Sequence, residues 1–193
     1  MLNFQPENLM VKIFTKTGDK GETGRFDGVR VPKNDPLIEV NGTIDECNSM
    51  IGVARSFNDG ERLDGILKHY QSLLLVCGSE VTNVKNDDRL PFVSDADITA
   101  LENLIDELEE EIPALTHFIL PAGDKVSAHL HLARTASRKV ERRLVTLQET
   151  MEVNKTLLAY FNRLSDTLFV LARHAAHQDG GSDEVWTNPQ KKA

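Results

Sequence analysis

The sequence predicts an all-α protein, a five-helix antiparallel bundle preceded by a glycine-rich N-terminal loop. Three observations predict it. Apolar residues recur at three- and four-residue steps in five separate stretches, the period of a helix with one buried face. Breaker segments separate those stretches, and short connections place consecutive helices antiparallel. Aromatic residues make up only 6% of the chain, which suits a core of Leu, Val, Ile and Ala better than a sheet built on cross-strand aromatic pairs. With 193 residues, 40% hydrophobic and 27% charged, the chain reads as one globular domain over 1–193. It is long enough to bury a core without metal or disulfide staples.

Residues 1–10 read as a loosely ordered arm. Gly18, Gly21, Gly24, Gly28 and Pro32 forbid a long helix over 11–35 and predict an ordered loop with short extended pieces. After Pro36 the stripe Ile38, Val40, Ile44, Cys47, Ile51 and Ala54 predicts the first helix, which Asn58-Asp59-Gly60 ends. The second runs from Glu61 to Asn83 with Leu63, Ile66, Leu67, Tyr70, Leu74 and Cys77 on one side. Ser94 caps the third, Asp97 stands in for the capping-box Glu, and Pro113 marks its end beyond Glu111. The linker Phe118–Gly123, FILPAG, precedes a fourth helix from Asp124 to Leu147. A fifth runs from Asn154 to His177 on the stripe Leu157, Phe161, Leu164, Leu168 and Leu171. The polar tail 180–193 is expected to be loosely ordered.

The formal net charge is −8, which repels nucleic-acid phosphates and gives no polybasic membrane anchor. No stretch reaches the apolar length of a membrane span, and no signal peptide opens the chain. The two cysteines, Cys47 and Cys77, lie in helix-like apolar stretches, have no zinc-site spacing and predict buried thiols in a reducing, cytoplasmic setting. No Glu-x-x-His pair of a di-iron bundle occurs, so the histidines are expected to be surface or structural.

Four features are candidates for chemistry. The loop Thr15-Lys16-Thr17-Gly18-Asp19-Lys20-Gly21-Glu22-Thr23 mixes glycines, hydroxyls and lysines, which can approach a polyphosphate, although a plain surface turn has the same composition. The fourth helix inverts the local charge. From Asp124 to Arg143 there are six basic and two acidic residues, a balance of +4 inside a chain of −8. Arg134, Arg138, Glu141 and Arg142 fall on one stripe, where three guanidiniums repel unless an anion or a subunit contact answers them. Asn162 and Asp166 share a face of the fifth helix, and a mid-helix Asn beside a core stripe is expected to have a partner. Asp45 in the first helix is placed to pair with an arginine of the fourth helix, in the same chain or a neighbour.

Taken in order, TKTGDKGETG (Thr15–Gly24), VNGTIDECNSMIG (Val40–Gly52), FILPAG with HLARTASRKVERR (His131–Arg143), and YFNRLSDTLFVLAR (Tyr160–Arg173) resemble the PduO-type ATP:cob(I)alamin adenosyltransferases. The resemblance implies a ferritin-like five-helix bundle that assembles as a homotrimer, with active sites between subunits. Its substrates would be ATP, taken with Mg²⁺, and cobalamin. Thr15 to Thr23, Lys33, Arg138, Lys139, Glu141, Arg142 and Asn162 are the implied ATP contacts, with Glu141 as the metal ligand. Lys139 stands where the family often has arginine. Arg134 would pair with Asp45 across subunits, and Phe118 would pack beneath the corrin ring. A flavin-type reductase and an adenosylcobalamin-dependent enzyme are the implied protein partners. The alternative for the same residues is a non-catalytic ATP- and corrinoid-binding regulator or cobalamin chaperone.

Overall fold

A computed structural model describes residues 13–25, 27–84, 87, 89–178 and 180–190. The arm expected over 1–10 and the last three residues of the tail lie outside the described residues. Two short strands, β1 (Glu22–Gly24) and β2 (Arg30–Pro32), are followed by α1 (Pro36–Ser56), α2 (Glu61–Thr82), α3 (Asp95–Glu110), α4 (Lys125–Leu147) and α5 (Lys155–Gln178). The glycine-rich segment is thus an antiparallel hairpin, with Thr23 opposite Val31.

The helices α1, α3 and α4 start where the sequence supplies a side-chain cap. The Asp35 carboxylate accepts from the Leu37 N–H at 2.9 Å, with Pro36 in the first turn where its missing N–H costs nothing. Asp124 accepts from Val126 and Ser127 at 2.6 and 3.0 Å. The Ser94 N–H and hydroxyl both donate to Asp97, at 2.8 and 2.7 Å, so the expected pairing of these two residues is present.

Helix directions follow from the cross-links. Arg55 of α1 meets Asp64 of α2 while Asn48 meets Gln71, so α1 and α2 are antiparallel. Lys139 and Arg143 of α4 meet Glu46 and Glu39 of α1, again antiparallel. By contrast, α3 and α5 ascend together. Asp95 lies by Thr156, Glu102 by Arg163, and Glu111 just past α3 by His174. Consecutive helices alternate in direction, and α3 and α5, which are not consecutive, lie side by side and parallel. The helix α4 sits centrally, packed on both α1 and α5. Close approach of α1 and α2 is helped by Gly78, where a Cβ would lie 2.8 Å from the Asn41 amide oxygen.

One core runs through all five helices. Ile44, Cys47, Ile51, Leu67, Leu74, Leu101, Leu130, Val140, Leu144, Phe161, Leu164 and Leu168 are buried in it. A fully buried Leu or Ile stabilises by roughly 1.5–3 kcal/mol, whereas an exposed ion pair contributes roughly 0–1 kcal/mol. The apolar stripes therefore hold the bundle. Leu63 and Ile66, expected inside, are only partly buried. Among the described residues no helix is long and apolar enough to cross a membrane.

The tail departs from expectation. Its residue Asp183 binds Arg173 of α5, and the segment 184–186 pairs with the linker at 118–120. The reason is electrostatic. A guanidinium that is 2% exposed needs an acceptor, and the polar tail supplies it.

Candidate functional site

On α4 the basic residues divide into two sets. Lys139 and Arg143 are answered by α1, through Glu46 at 2.8 Å and Glu39 at 3.3 Å. Arg134, Arg138 and Arg142 form no ion pair among the described residues. The Arg142 guanidinium only donates to the Arg138 carbonyl, at 3.0 Å. Half-buried Arg134 lies 6.0 Å from the centre of the Phe169 ring, and its buried Nε has no hydrogen-bond partner. Burial, with the charge of Arg138 added, lowers the pKa of Arg134. Three guanidiniums on one helix face, with only Glu141 among them and no ion pair formed, leave a net positive charge of the kind an anion can answer.

The expected partner of Asn162 is present, since its amide donates to Glu141 at 3.0 Å. That bond fixes one oxygen of Glu141 and leaves the other open beside the arginines. Among the described residues, no three His, Cys, Asp or Glu side chains converge as a metal site. Asp166 is held instead by Arg163 at 2.9 Å. Asp45 is exposed, and it does not meet Arg134 within the chain.

The loop is organised by its own hairpin. The Thr15 and Thr17 hydroxyls are 2.8 Å apart. The Lys33 N–H donates to the Gly21 carbonyl, and its Nζ lies 3.4 Å from where a Cβ on Gly18 would be. Gly21 has φ +85°, a conformation that favours glycine. Thr15, Lys16, Thr17, Asp19, Lys20, Gly21 and Glu22 are exposed, while Gly18 and Thr23 are half-buried. Sequence reasoning missed Arg30, which donates to the Thr17 carbonyl at 2.6 Å and reaches Glu22 at 3.4 Å. The signal for it was an Arg and a Glu on the two arms of a glycine-rich hairpin.

The hairpin sits beside the N-terminus of α1, and Phe118 sits at the other end of the bundle. Phe118 is 83% exposed and is carried by the linker next to the N-terminus of α4. With 23 residues, α4 spans about 35 Å. One chain therefore holds its glycine-rich loop and its exposed aromatic far apart, with the arginines of α4 between them.

Other reactive groups are closed off. Burial pushes the Cys47 thiol up to about 12 and Cys77 well above its usual value, so neither supplies a thiolate. His131 is buried with Nδ1 unpartnered, and burial together with the Arg134 charge lowers its pKa to about 4. It is a neutral imidazole packed by Phe169. His174 is bound to Glu111 at 2.8 Å, a structural role as expected.

Comparison with known proteins gives a consistent answer. The family profile described as cobalamin adenosyltransferase matches residues 13–175. A corrinoid adenosyltransferase of Bacillus subtilis is 41% identical over 179 residues, covering 90% of this chain and 91% of that one. The corrinoid adenosyltransferase MMAB of Homo sapiens is 38% identical over 182 residues, covering 91% and 73%. Among solved structures, a variant PduO-type ATP:corrinoid adenosyltransferase from Lactobacillus reuteri, complexed with cobalamin and ATP, superposes with a TM-score of 0.87. It is 35% identical, covering 92% of this chain and 97% of that one.

Proposed function

This chain belongs to the cobalamin adenosyltransferase family, and from that premise we propose that it is an enzyme that moves the 5′-deoxyadenosyl group of ATP onto the cobalt of cob(I)alamin. The products are adenosylcobalamin and triphosphate. The observation that carries the residue assignment is the unanswered charge of Arg134, Arg138 and Arg142 on one face of α4 in an acidic chain.

The reaction sets clear demands. Cob(I)alamin is itself the nucleophile, so no side chain need supply one. The cobalt electron pair forms the Co–C5′ bond as the C5′–O5′ bond breaks, and triphosphate leaves with the electron pair of the C5′–O5′ bond. The protein must hold C5′ in line with cobalt. It must also stabilise charge gathering on the leaving group. Arg138, Arg142 and Lys20 perform the second task, while Thr15 to Thr23, Lys33 and Asn162 fix the nucleotide. Lys139, tied to Glu46 within the chain, adds charge at the edge. Magnesium, when bound, neutralises the phosphates. Glu141 suits it as a single carboxylate ligand, because this ion commonly takes one or two carboxylates and completes its shell with phosphates and water.

The exposed Phe118 ring packs under the corrin and excludes the lower axial ligand. That favours a four-coordinate Co(II) species, which a flavin-type reductase can reduce. The two ends of one chain lie too far apart for ATP and cobalt to meet there, so the site spans two copies within a homotrimer. Asp45 of one copy then answers Arg134 of the next. Two protonated, unbridged cysteines support a cytoplasmic setting, where an adenosylcobalamin-dependent enzyme takes the product. The five helices share one core and are read as a single domain.

The test is anaerobic incubation with MgATP and cob(I)alamin, followed by absorbance and by an assay for triphosphate. Equimolar adenosylcobalamin and triphosphate are expected. Tight binding of both substrates with neither product formed would instead establish the non-catalytic regulator or chaperone.

A further inference from the structure

Arg173 fastens two segments at once. Its Nε and Nη2 donate to Asp183 Oδ2 of the tail, at 3.0 and 2.8 Å, and Nη2 also donates to the Pro113 carbonyl at the start of the linker, at 2.7 Å. His177 Nε2 adds a third contact to Asp183 at 3.3 Å. Burial opposes the charge on Asp183, yet the bonds from Arg173 and His177 hold its carboxyl below the usual range. From this anchor the tail runs antiparallel to the linker. The Leu120 N–H donates to the Glu184 carbonyl and the Trp186 N–H donates to the Phe118 carbonyl, both at 2.8 Å, around the Ile119–Val185 bridge. The family profile ends at residue 175, before any of the tail.

These contacts have one exposed beneficiary. Phe118 is 83% exposed, so side-chain packing does not fix it. Its backbone is fixed by the tail. A ring that must displace an axial ligand acts only if its position is held within a fraction of an ångström. We propose that Arg173 and Asp183 form a clamp that docks residues 183–186 against the linker and so sets the position of Phe118. Both are positioning residues for the corrinoid half of the reaction. The inference rests on the reading of Phe118 given above.

The test uses the full-length chain and two variants that break the clamp differently. Asp183→Ala removes the anchor. Trp186→Pro removes the N–H that donates to Phe118, together with the partly exposed indole, and leaves the buried pair intact. Adenosylcobalamin formation is measured from pre-formed cob(I)alamin and from Co(II) corrinoid with reduced flavin as electron donor. Both variants are expected to lower the ratio of Co(II)-fed to Co(I)-fed turnover about tenfold, the scale of a small misplacement, with the KM for MgATP unchanged. The chain has one tryptophan, Trp186, so its emission should shift to the red in Asp183→Ala as the tail undocks. Adding either clamp substitution to Phe118→Ala should lower the ratio no further, because both changes act through one ring. Equal loss in both assays, or full additivity with Phe118→Ala, overturns the clamp. The two possible failures are distinct. An unchanged ratio in Phe118→Ala sinks the reading of Phe118. An unchanged ratio in both clamp variants, beside a lowered one in Phe118→Ala, sinks the clamp alone.

Discussion

The two ends of this bundle are built in opposite ways. At one end the segment 15–33 is held by its own hairpin and by Arg30 and stands largely exposed, and among the described residues its two strands pack extensively only on each other. At the other, the linker 112–124 and the tail are tied to α5 through buried Arg173. In the proposed reading, the nucleotide end is left to be completed by its ligand and a neighbouring copy. The corrinoid end is ordered when the chain folds, so less ordering entropy is lost on binding there. Flexible triphosphate tolerates a loop that closes around it, whereas an axial ligand is displaced only by a ring already in place.

The largest expected effect separates the ends by stability. Arg173→Ala leaves Asp183 without its buried partner, a loss of about 3–5 kcal/mol. In a chain of this length each kcal/mol moves Tm by about 2–4 °C, so thermal melts should fall by about 6–20 °C. Lys20→Ala, on the exposed loop, should stay within about 0.5 kcal/mol. Comparable melts for the two variants would show that the corrinoid end is no better anchored than the loop.

Next comes activity at the centre of α4. Arg138→Ala should lower turnover about 10²–10³-fold, the usual effect of removing one preorganised donor from a developing charge. Its melt should be near wild type, because Arg138 is exposed and forms no ion pair among the described residues. Wild-type-like turnover would refute its part in the reaction and leave the unanswered charge of α4 to the subunit contact alone.

The contrast between the ends also explains what could be read from the sequence. The stripe Ile38-Val40-Ile44-Cys47-Ile51-Ala54 announced α1 because helical period alone decides which face is buried; five of its residues are buried and Ile38 is partly buried. Ser94 with Asp97 announced a helix start for the same local reason. Asn162 signalled a partner through its poor fit to a helix interior, and Glu141 is that partner. The side-by-side parallel arrangement of α3 and α5 was not legible, because periodicity orders residues around a helix and says nothing about which helix is the neighbour. The docked tail was missed for a different reason. Its residues are polar, and only Arg173, an arginine set among Leu171, Ala172 and His174 on a buried face, hinted that a distant carboxylate had to arrive. The arginines of α4 could be grouped from spacing, but their division into paired Lys139 and Arg143 and unpaired Arg134, Arg138 and Arg142 required the position of α1.

A ligand sharpens the comparison from the nucleotide side. MgATP at about one hundred times its Kd stabilises the native state by about 2.7 kcal/mol, or about 5–11 °C in Tm. Hydrogen exchange should slow over residues 15–33 and on α4 near Arg138, while the already docked tail changes little. Protection that appears first in the tail would reverse the assignment of the two ends.

The smallest effect is a pH dependence at the corrinoid end. Hydrogen bonds from Arg62 and then from His174 lower the Glu111 carboxyl to about 2, against a usual value of 4.5. The unfolded chain therefore binds a proton in that interval that the folded chain does not, and stability rises with pH across it. The contribution of Glu111 is fully present above about pH 4.5 and is lost as the pH falls towards about 2. Glu111 is exposed, so salt screens its ion pairs and the effect is modest. Melts of wild type and Glu111→Gln should differ at pH 5 and converge by about pH 2, with a smaller gap in high salt. Because Glu111 joins α2 and α5 just where the linker departs, hydrogen exchange of residues 112–120 should quicken in the variant at pH 5. Melting curves that stay parallel across the interval would mean that this junction carries no proton-linked stability, leaving Arg173 alone to hold the linker.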